Sequence, residues 1–214
     1  MTHELDKLVR LTKDQIKPAA KMLTRAFIEE PSFNIFYSWA FPEEETREEF
    51  LEISLEFRIK YGILYGEVYA TSPNIEGLAV WKPSNKVKMT IIRALRAGVM
   101  KVYSSFGKDK EIRKKMSIVS NLEDKLHKRL GNFPHWYLAP IGVDPIHQGK
   151  GYASILMRSM LNRLDREQLP CYLETLSERN VEIYEHYNFE IINESIIPEA
   201  ELTHWVMLRK PNKD

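Results

Sequence analysis

Cysteine is all but missing: Cys171 stands alone, so no internal disulfide can form, and a reducing compartment is the expectation. Net charge is missing too. The 31 Lys and Arg offset 30 Asp and Glu to a formal +1, without the basic excess of a nucleic-acid binder, so no nucleic-acid partner is expected. No apolar run approaches the roughly 20 residues of a membrane-spanning helix, and no membrane partner is expected. Met1–Arg10 is charged and lacks an apolar core, which argues against a signal peptide. A cytoplasmic location follows as the default. Repeats and low-complexity segments are absent, and 214 residues suffice for one large domain. Glycine is sparse, with 9 in the chain, so its clustering at Gly142, Gly149 and Gly151 is informative.

What is present reads as alternating strands and helices. A short strand is expected at Leu8–Leu11. Thr12 caps a helix from Asp14 to Glu29, with Gln15 completing a partial capping box. Ile16, Ala19, Ala20, Leu23 and Phe27 share one face of it. Pro31–Pro42 is crowded with aromatics and reads as irregular. A helix follows over Glu43–Tyr61, then a hairpin of strands Ile63–Ala70 and Ile75–Trp81. Lys86–Leu130 is charged and helical. Ile91, Leu95, Val99, Val102 and Phe106 keep helical spacing before Gly107, and Ile112, Met116, Val119, Leu126 and Leu130 keep it after. This pair of helices is expected to pack on the main sheet as an insertion at about 86–130 in a single domain, 1–214. Then come a strand (Trp136–Val143), a helix (Gln148–Glu167), a strand (Cys171–Leu176) and a short helix (Glu178–Tyr187) capped by Ser177. Strands Phe189–Ile197 and Leu202–Leu208 close the chain as an antiparallel pair, with Lys210–Asp214 frayed.

The stretch Ile141–Ser154 carries the chemistry. A strand, the turn Asp144–Gln148 and a Gly-rich start to a long helix leave backbone N–H groups free at the positive end of the helix dipole. Such a turn binds phosphate, and glycine lets the phosphate approach the backbone. A P-loop is excluded: Gly149-Lys150 is followed by Gly151 rather than Ser or Thr, and Asp144 stands where its first glycine belongs. A dinucleotide fingerprint fits poorly, because Asp144–Gln148 separates the glycines from the strand. The pyrophosphate loop of CoA enzymes, Gln/Arg-x-x-Gly-x-Gly/Ala, is met at every specified place by Gln148-Gly149-Lys150-Gly151-Tyr152-Ala153.

With Asn180-x-x-x-Tyr184 and Tyr187-Asn188-Phe189 downstream, the chain resembles the GNAT family of N-acetyltransferases. Within that family, His135–Pro211 is similar to the C-terminal half of puromycin N-acetyltransferase. The shared phrases include Trp136-x-Leu138-Ala139, Gly142-Val143-x-Pro145, His147–Gly151 and Leu173-Glu174-Thr175. The likeness is faint in the N-terminal third and almost absent over residues 86–130.

The resemblance implies an α/β (α+β) fold: a mixed, mostly antiparallel sheet, splayed in the middle and flanked by helices, with the helical insertion. It implies acetyl-CoA as cofactor and a small-molecule amine as acceptor, in a monomer or homodimer. The N–H groups of Gln148, Gly149, Lys150, Gly151, Tyr152, Ala153 and Ser154 would hold the CoA pyrophosphate. Ile141, Gly142 and Val143 would pair with pantetheine and donate to the thioester oxygen. Asn180 and Tyr184, four apart on one helical face, would meet the pantetheine arm, with Tyr184 as general acid for the thiolate. Glu174 is the candidate general base. Phe36 and Trp39 are candidates for the acceptor wall. Asn188 stands where the family usually has glycine, a mild departure because Asn also tolerates a left-handed helix end. His127, His135, His147 and His204 share no metal-ligand spacing, and no metal is expected. Two other readings stay open: a protein lysine or N-terminal acetyltransferase, and a CoA-binding regulator without turnover.

Overall fold

Thr12 opens the first layer. Its N–H donates to Gln15 Oε1 at 3.1 Å, and a 3₁₀ turn carries the chain from β1 (Val9–Arg10) into α1 (Ile16–Ile28). The structure, a computed structural model, describes residues 4–105 and 109–212. The aromatic stretch predicted to be irregular is a helix, α2 (Pro31–Ala40). Pro31 occupies the first helical position, where its missing N–H costs nothing, and the Glu30 carboxylate caps the turn by accepting from Phe33 N–H at 2.7 Å. Its aromatics hid it, since they are weak helix formers that packing alone rescues. Tyr37 stacks on Phe41, and Phe41 on Phe50 with ring centroids 4.3 Å apart.

The next helix, α3 (Glu44–Tyr65), overruns its expected end and absorbs Ile63–Tyr65, which alternation had placed on a strand. Gly62 does not break it. A Cβ there would lie 2.5 Å from Val80 Cγ1, so the glycine lets the helix lie close against β2 (Glu67–Ala70) and β3 (Gly77–Pro83). The helix stops at Gly66, where a Cβ would meet Trp81 O at 2.1 Å. That oxygen is backbone and cannot step aside. Gly66→Ala is therefore expected to destabilise by about 1–3 kcal/mol through overpacking. Thermal melting checks this, and an unchanged midpoint would show that the strand edge yields.

Helices α4 (Ser84–Val87), α5 (Ile91–Ala97), α6 (Val99–Ser105) and α7 (Lys110–Leu130) form the insertion. A break falls at Gly98, whose φ of 97° ends α5 in the left-handed conformation that suits glycine. The break expected at Gly107, and the apolar position Phe106, lie outside the described residues. Helices α5 and α6 pack on α3, not on the sheet as expected. Ile91 and Leu95 accordingly face outward, 79% and 50% exposed, while Ala97 is buried. The sheet is reached by α4, which lies against β3 and β4, and by α7, through Leu126 against Tyr137, Tyr172 and Val206.

Then follow β4 (Trp136–Val143), α8 (Tyr152–Arg166), β5 (Cys171–Thr175), α9 (Glu178–Glu185), β6 (Glu190–Ile197) and β7 (Leu202–Arg209). Among the described residues, seven strands run β1-β2-β3-β4-β5-β7-β6. All neighbours are antiparallel except β4 and β5, which are parallel and pair only over Trp136–Leu138 and Cys171–Leu173. Beyond those residues the two strands part, which is the expected splay. Ala139 and Pro140 also sit at a bulge against β3, between the partners of Ala79 and Trp81. One face of the sheet buries Leu23, Phe50, Ile59, Leu78 and Val80 under α1 and α3; the other buries Trp81, Leu156, Met160 and Leu173 under α8. No helix among the described residues is long and apolar enough to cross a membrane.

The C-terminal segment is tied rather than frayed as far as Asn212; residues 213–214 lie outside the description. Arg209 makes a two-pronged bond to Asp165, Nη1–Oδ1 2.8 Å and Nη2–Oδ2 2.7 Å, and Asn212 N–H adds a third at 2.8 Å. Burial alone would raise the Asp165 carboxyl, but Arg209 and Asn212 hold it below the usual carboxylate range. Its stabilisation is thus present above the unfolded value near 3.9 and lost as pH falls through the lowered folded value. Asp165→Ala leaves a nearly buried guanidinium unpaired and is expected to cost about 3 kcal/mol at pH 7. The deficit in thermal midpoint should shrink toward pH 3; a deficit independent of pH would count against the ion pair.

Candidate active site

The turn between β4 and α8 has the shape of an anion cradle. Asp144 anchors it: its carboxylate pairs with Arg25 from α1 and accepts from Ile146 N–H at 3.3 Å. Burial would raise that carboxyl, yet Arg25 and the Ile146 N–H hold it below its ordinary value. Gly149 (φ 76°) and Gly151 (φ 82°) are both left-handed, and a Cβ on either would meet nothing within 4 Å. Conformation, not crowding, is what requires glycine there. The first bond into the helix is Ile155 N–H to Gly151 O (3.1 Å), so the N–H groups just before it lack helical partners. Lys150 Nζ reaches His147 Nδ1 (3.2 Å), and Tyr152 stands edge-on to His147. Gln148 turns back to Val143 O at 3.4 Å, and Ser154 Oγ accepts from Arg158 Nε at 3.0 Å. Ala153 is exposed.

The splay opens a cavity of about 210 Å³. Ala139, Pro140 and Ile141 of β4 form one wall; Glu174 and Thr175 of β5, with Asn180 and Tyr184 of α9, form the other. Ser177 Oγ caps α9 by accepting from Asn180 N–H at 3.4 Å, and that cap sets the face that Asn180 and Tyr184 share. Burial, with Cys171 nearby, holds the Tyr184 phenol well above its ordinary value. Gly142 does not line the cavity; α1 closes over it, and a Cβ would stand 2.6 Å from Leu23 Cδ2. Phe36 lines the cavity beside Phe27, Phe33 and Tyr37. Trp39 does not. It ties α2 to α7, its carbonyl accepting from Lys115 Nζ at 2.7 Å. Asn188 has φ 64°, the left-handed end expected of it.

Glu174 lies at the floor, its side chain 4% exposed. It accepts from Tyr172 Oη at 2.8 Å and pairs with His204 Nε2 at 3.2 Å. Glu123 of α7 joins them: one ligand atom each from Glu123, Glu174 and His204 lie within 4.8 Å of one another. His204, expected to share no ligand set, thus stands in a spacing that suits a cation, metallic or ammonium. Burial, and then Glu174, push the Glu123 carboxyl up. Burial alone would lower the His204 imidazole, but the hydrogen bond and charge of Glu174 and the charge of Glu123 raise it above its ordinary value. The site therefore holds acceptors of protons and of positive charge around one small apolar space.

Residues 119–189 match the family model described as acetyltransferase (GNAT) family. A histone acetyltransferase HPA2 and related acetyltransferase from Corynebacterium glutamicum superposes with a TM-score of 0.66 at 18% identity, over 97% of each chain. The chain has the GNAT acetyltransferase fold. The polyamine N-acetyltransferase of Drosophila melanogaster, which forms N-acetylagmatine, shares it with a TM-score of 0.56 at 13% identity, over 95% of this chain and 98% of that one. In sequence, a Schizosaccharomyces pombe protein described as an uncharacterised N-acetyltransferase is 37% identical over 82 residues. That stretch is 37% of this chain, which spans about a third (33%) of the relative's length. The cavity brings together Ile141, Asn180, Tyr184, Glu174 and Phe36 of the residues expected from sequence, while no described residue of the Gly turn lines it. Glu30, Arg58, Glu123 and His204 also line the cavity, and none was singled out for a role in it beforehand. Helical periodicity marks Glu123 only as a polar residue of α7. His204 meets Glu174 only because β7 pairs with β5, thirty residues away in sequence.

Proposed function

We propose that the chain is an acetyl-CoA-dependent N-acetyltransferase that acetylates a small-molecule amine by direct attack within a ternary complex. The observation that carries this reading is the left-handed Gly149–Gly151 turn opening α8 beside the parted β4 and β5. One feature suits a pyrophosphate and the other an extended pantetheine arm ending at Tyr184. When bound, acetyl-CoA supplies an activated acetyl group as its thioester. The N–H groups of Gly149–Ser154 would hold the pyrophosphate, the Gln148 N–H already donating to Pro145 O at 3.2 Å. Backbone along Ile141–Val143 would pair with the arm and donate to the thioester oxygen as charge gathers there. Glu174, braced by His204 and Tyr172, would take the proton of the attacking amine. Tyr184 would return a proton to the departing sulfur.

The likeness of His135–Pro211 to puromycin N-acetyltransferase supports fold and cofactor, not the antibiotic as acceptor. A cavity roofed by α2 and α7 suits a small molecule better than a polypeptide, which weighs against a protein acetyltransferase. The Drosophila enzyme's acetylation of a small amine points the same way. Thiol release from acetyl-CoA over a panel of amines tests the reading. Release with small amines and none with peptides is expected. Binding of acetyl-CoA without release from any amine would leave a non-catalytic CoA-binding protein.

A further inference from the structure

The cavity at the splay does not end at the carboxylates. A second cavity of about 310 Å³ adjoins it between α3, α6 and α7, and Ser54, Arg58, Met116, Ser120 and Ala139 line both. Phe57, Tyr61, Val99 and Val102 give the second space apolar walls. The charged residues lining it are Arg58, Lys82 and Arg113, all cations, and no Asp or Glu among the described residues lines it. The first cavity is the reverse: Glu30, Glu123 and Glu174 line it, with Arg58 at the shared boundary. Charge is therefore polarised along the joined space, carboxylates at the thioester end and cations beyond.

Lys82 gives this polarity a purpose. It lies on β3 opposite Tyr137, its Nζ 4.6 Å from that ring's centroid. Among the described residues no carboxylate oxygen lies within 4.0 Å of Lys82 or of Arg58. Burial, and then the charge of Arg58, push the ammonium down to about 8 against the opposing charges of Glu123 and Glu174. Arg58 is exposed and Lys82 half-buried, so an anion joining them would meet two cations with no contact ion pair to break among the described residues. An arginine beside a lysine at the end of an apolar space is a common arrangement for holding carboxylate or phosphate.

We propose that Arg58 and Lys82 bind an anionic group of the acceptor, so that the acceptor is an amine joined through an apolar body to a carboxylate or phosphate. The amine lies toward Glu174 and Glu123 and the anion toward Lys82. The inference rests on the acetyl-transfer reading of the first cavity, and its test separates the two.

Matched probes are 8-aminooctanoate against octylamine, and tyramine phosphate against tyramine. By thiol release, the wild type should favour the anionic member of at least one pair by about 10–100-fold in kcat/KM, the worth of a charged hydrogen bond. The pair that shows it tells carboxylate from phosphate. Lys82→Met and Arg58→Gln should bring the ratio to about one, and Lys82→Arg should restore part of it. Calorimetry of the same four compounds reads the site without turnover. Preferential binding of an anionic member, lost in Lys82→Met, with no thiol released from any amine, would uphold the anion site and defeat the acetyl-transfer reading. Equal or better use and binding of the neutral members, or a ratio unmoved by Lys82→Met, would overturn the anion site while leaving acetyl transfer intact.

Discussion

Tyr184→Phe is expected to lower kcat by about 10²–10⁴-fold, the worth of a positioned general acid, while the Kd for acetyl-CoA stays within about threefold. The change removes one oxygen and keeps the ring on Phe189, its centroid 5.8 Å away, so packing of α9 should survive. The position of the hydroxyl decides the effect. In water a phenol near 10 protonating a thiolate whose thiol is near 8.5 is slightly uphill. In this cavity burial raises the phenol, and the same desolvation raises a thiolate forming beside it. The mismatch therefore does not widen merely because the tyrosine is buried. A raised phenol also stays protonated throughout the neutral range, so the loss should be the same from about pH 6 to 9. Steady-state kinetics with calorimetry of acetyl-CoA checks this. A variant with wild-type kcat would remove Tyr184 from the chemistry.

Glu174→Gln should be as damaging and should also move the pH dependence. The substitution keeps shape and hydrogen bonding to Tyr172 but removes the charge that holds His204. In the wild type that charge overrides burial and raises the imidazole above its ordinary value. With Gln, burial dominates and the imidazole becomes neutral at lower pH. We expect kcat/KM to fall by about 10²–10⁴-fold and the acidic limb of the pH profile to shift downward. Stability carries the same sign. The imidazolium–carboxylate pair stabilises fully below the unfolded histidine value near 6.5, and that contribution is lost as pH rises through the raised folded value. The wild-type melting temperature should therefore lose an increment over that window that Glu174→Gln lacks. Parallel melting curves across the window would mean that the pair is not ionic.

How much of this was legible in the sequence depends on which interactions are local. The C-terminal half was read almost residue by residue, because Gly149, Gly151 and Ser177 act through backbone conformation and capping within a few positions. The parting of β4 from β5 was available only through the family resemblance, since nothing in Trp136–Val143 states which strand lies beside it. Helix α2 was missed because its start depends on Glu30 and Pro31 acting together, against aromatic residues that favour strands. The end of α3 was missed because Gly62 reads as a breaker in isolation, whereas here it permits contact with Val80. Glu123, Arg58 and Lys82 come from three elements distant in sequence, and only tertiary packing brings them to one space. Residues that choose an acceptor are of this kind, which is why the donor side was clearer than the acceptor side.

The most direct test follows the acetyl group itself. Wild-type protein is incubated with deuterium-labelled acetyl-CoA and a mixture of small amines, among them 8-aminooctanoate and tyramine, and the products are weighed by mass spectrometry. Labelled N-acetyl product from at least one amine, slowed by about 10²-fold or more in Tyr184→Phe, is the expected result. Acetyl-CoA bound but no label on any nitrogen, or label transferred equally well by Tyr184→Phe, would contradict acetyl transfer at the β4–β5 splay.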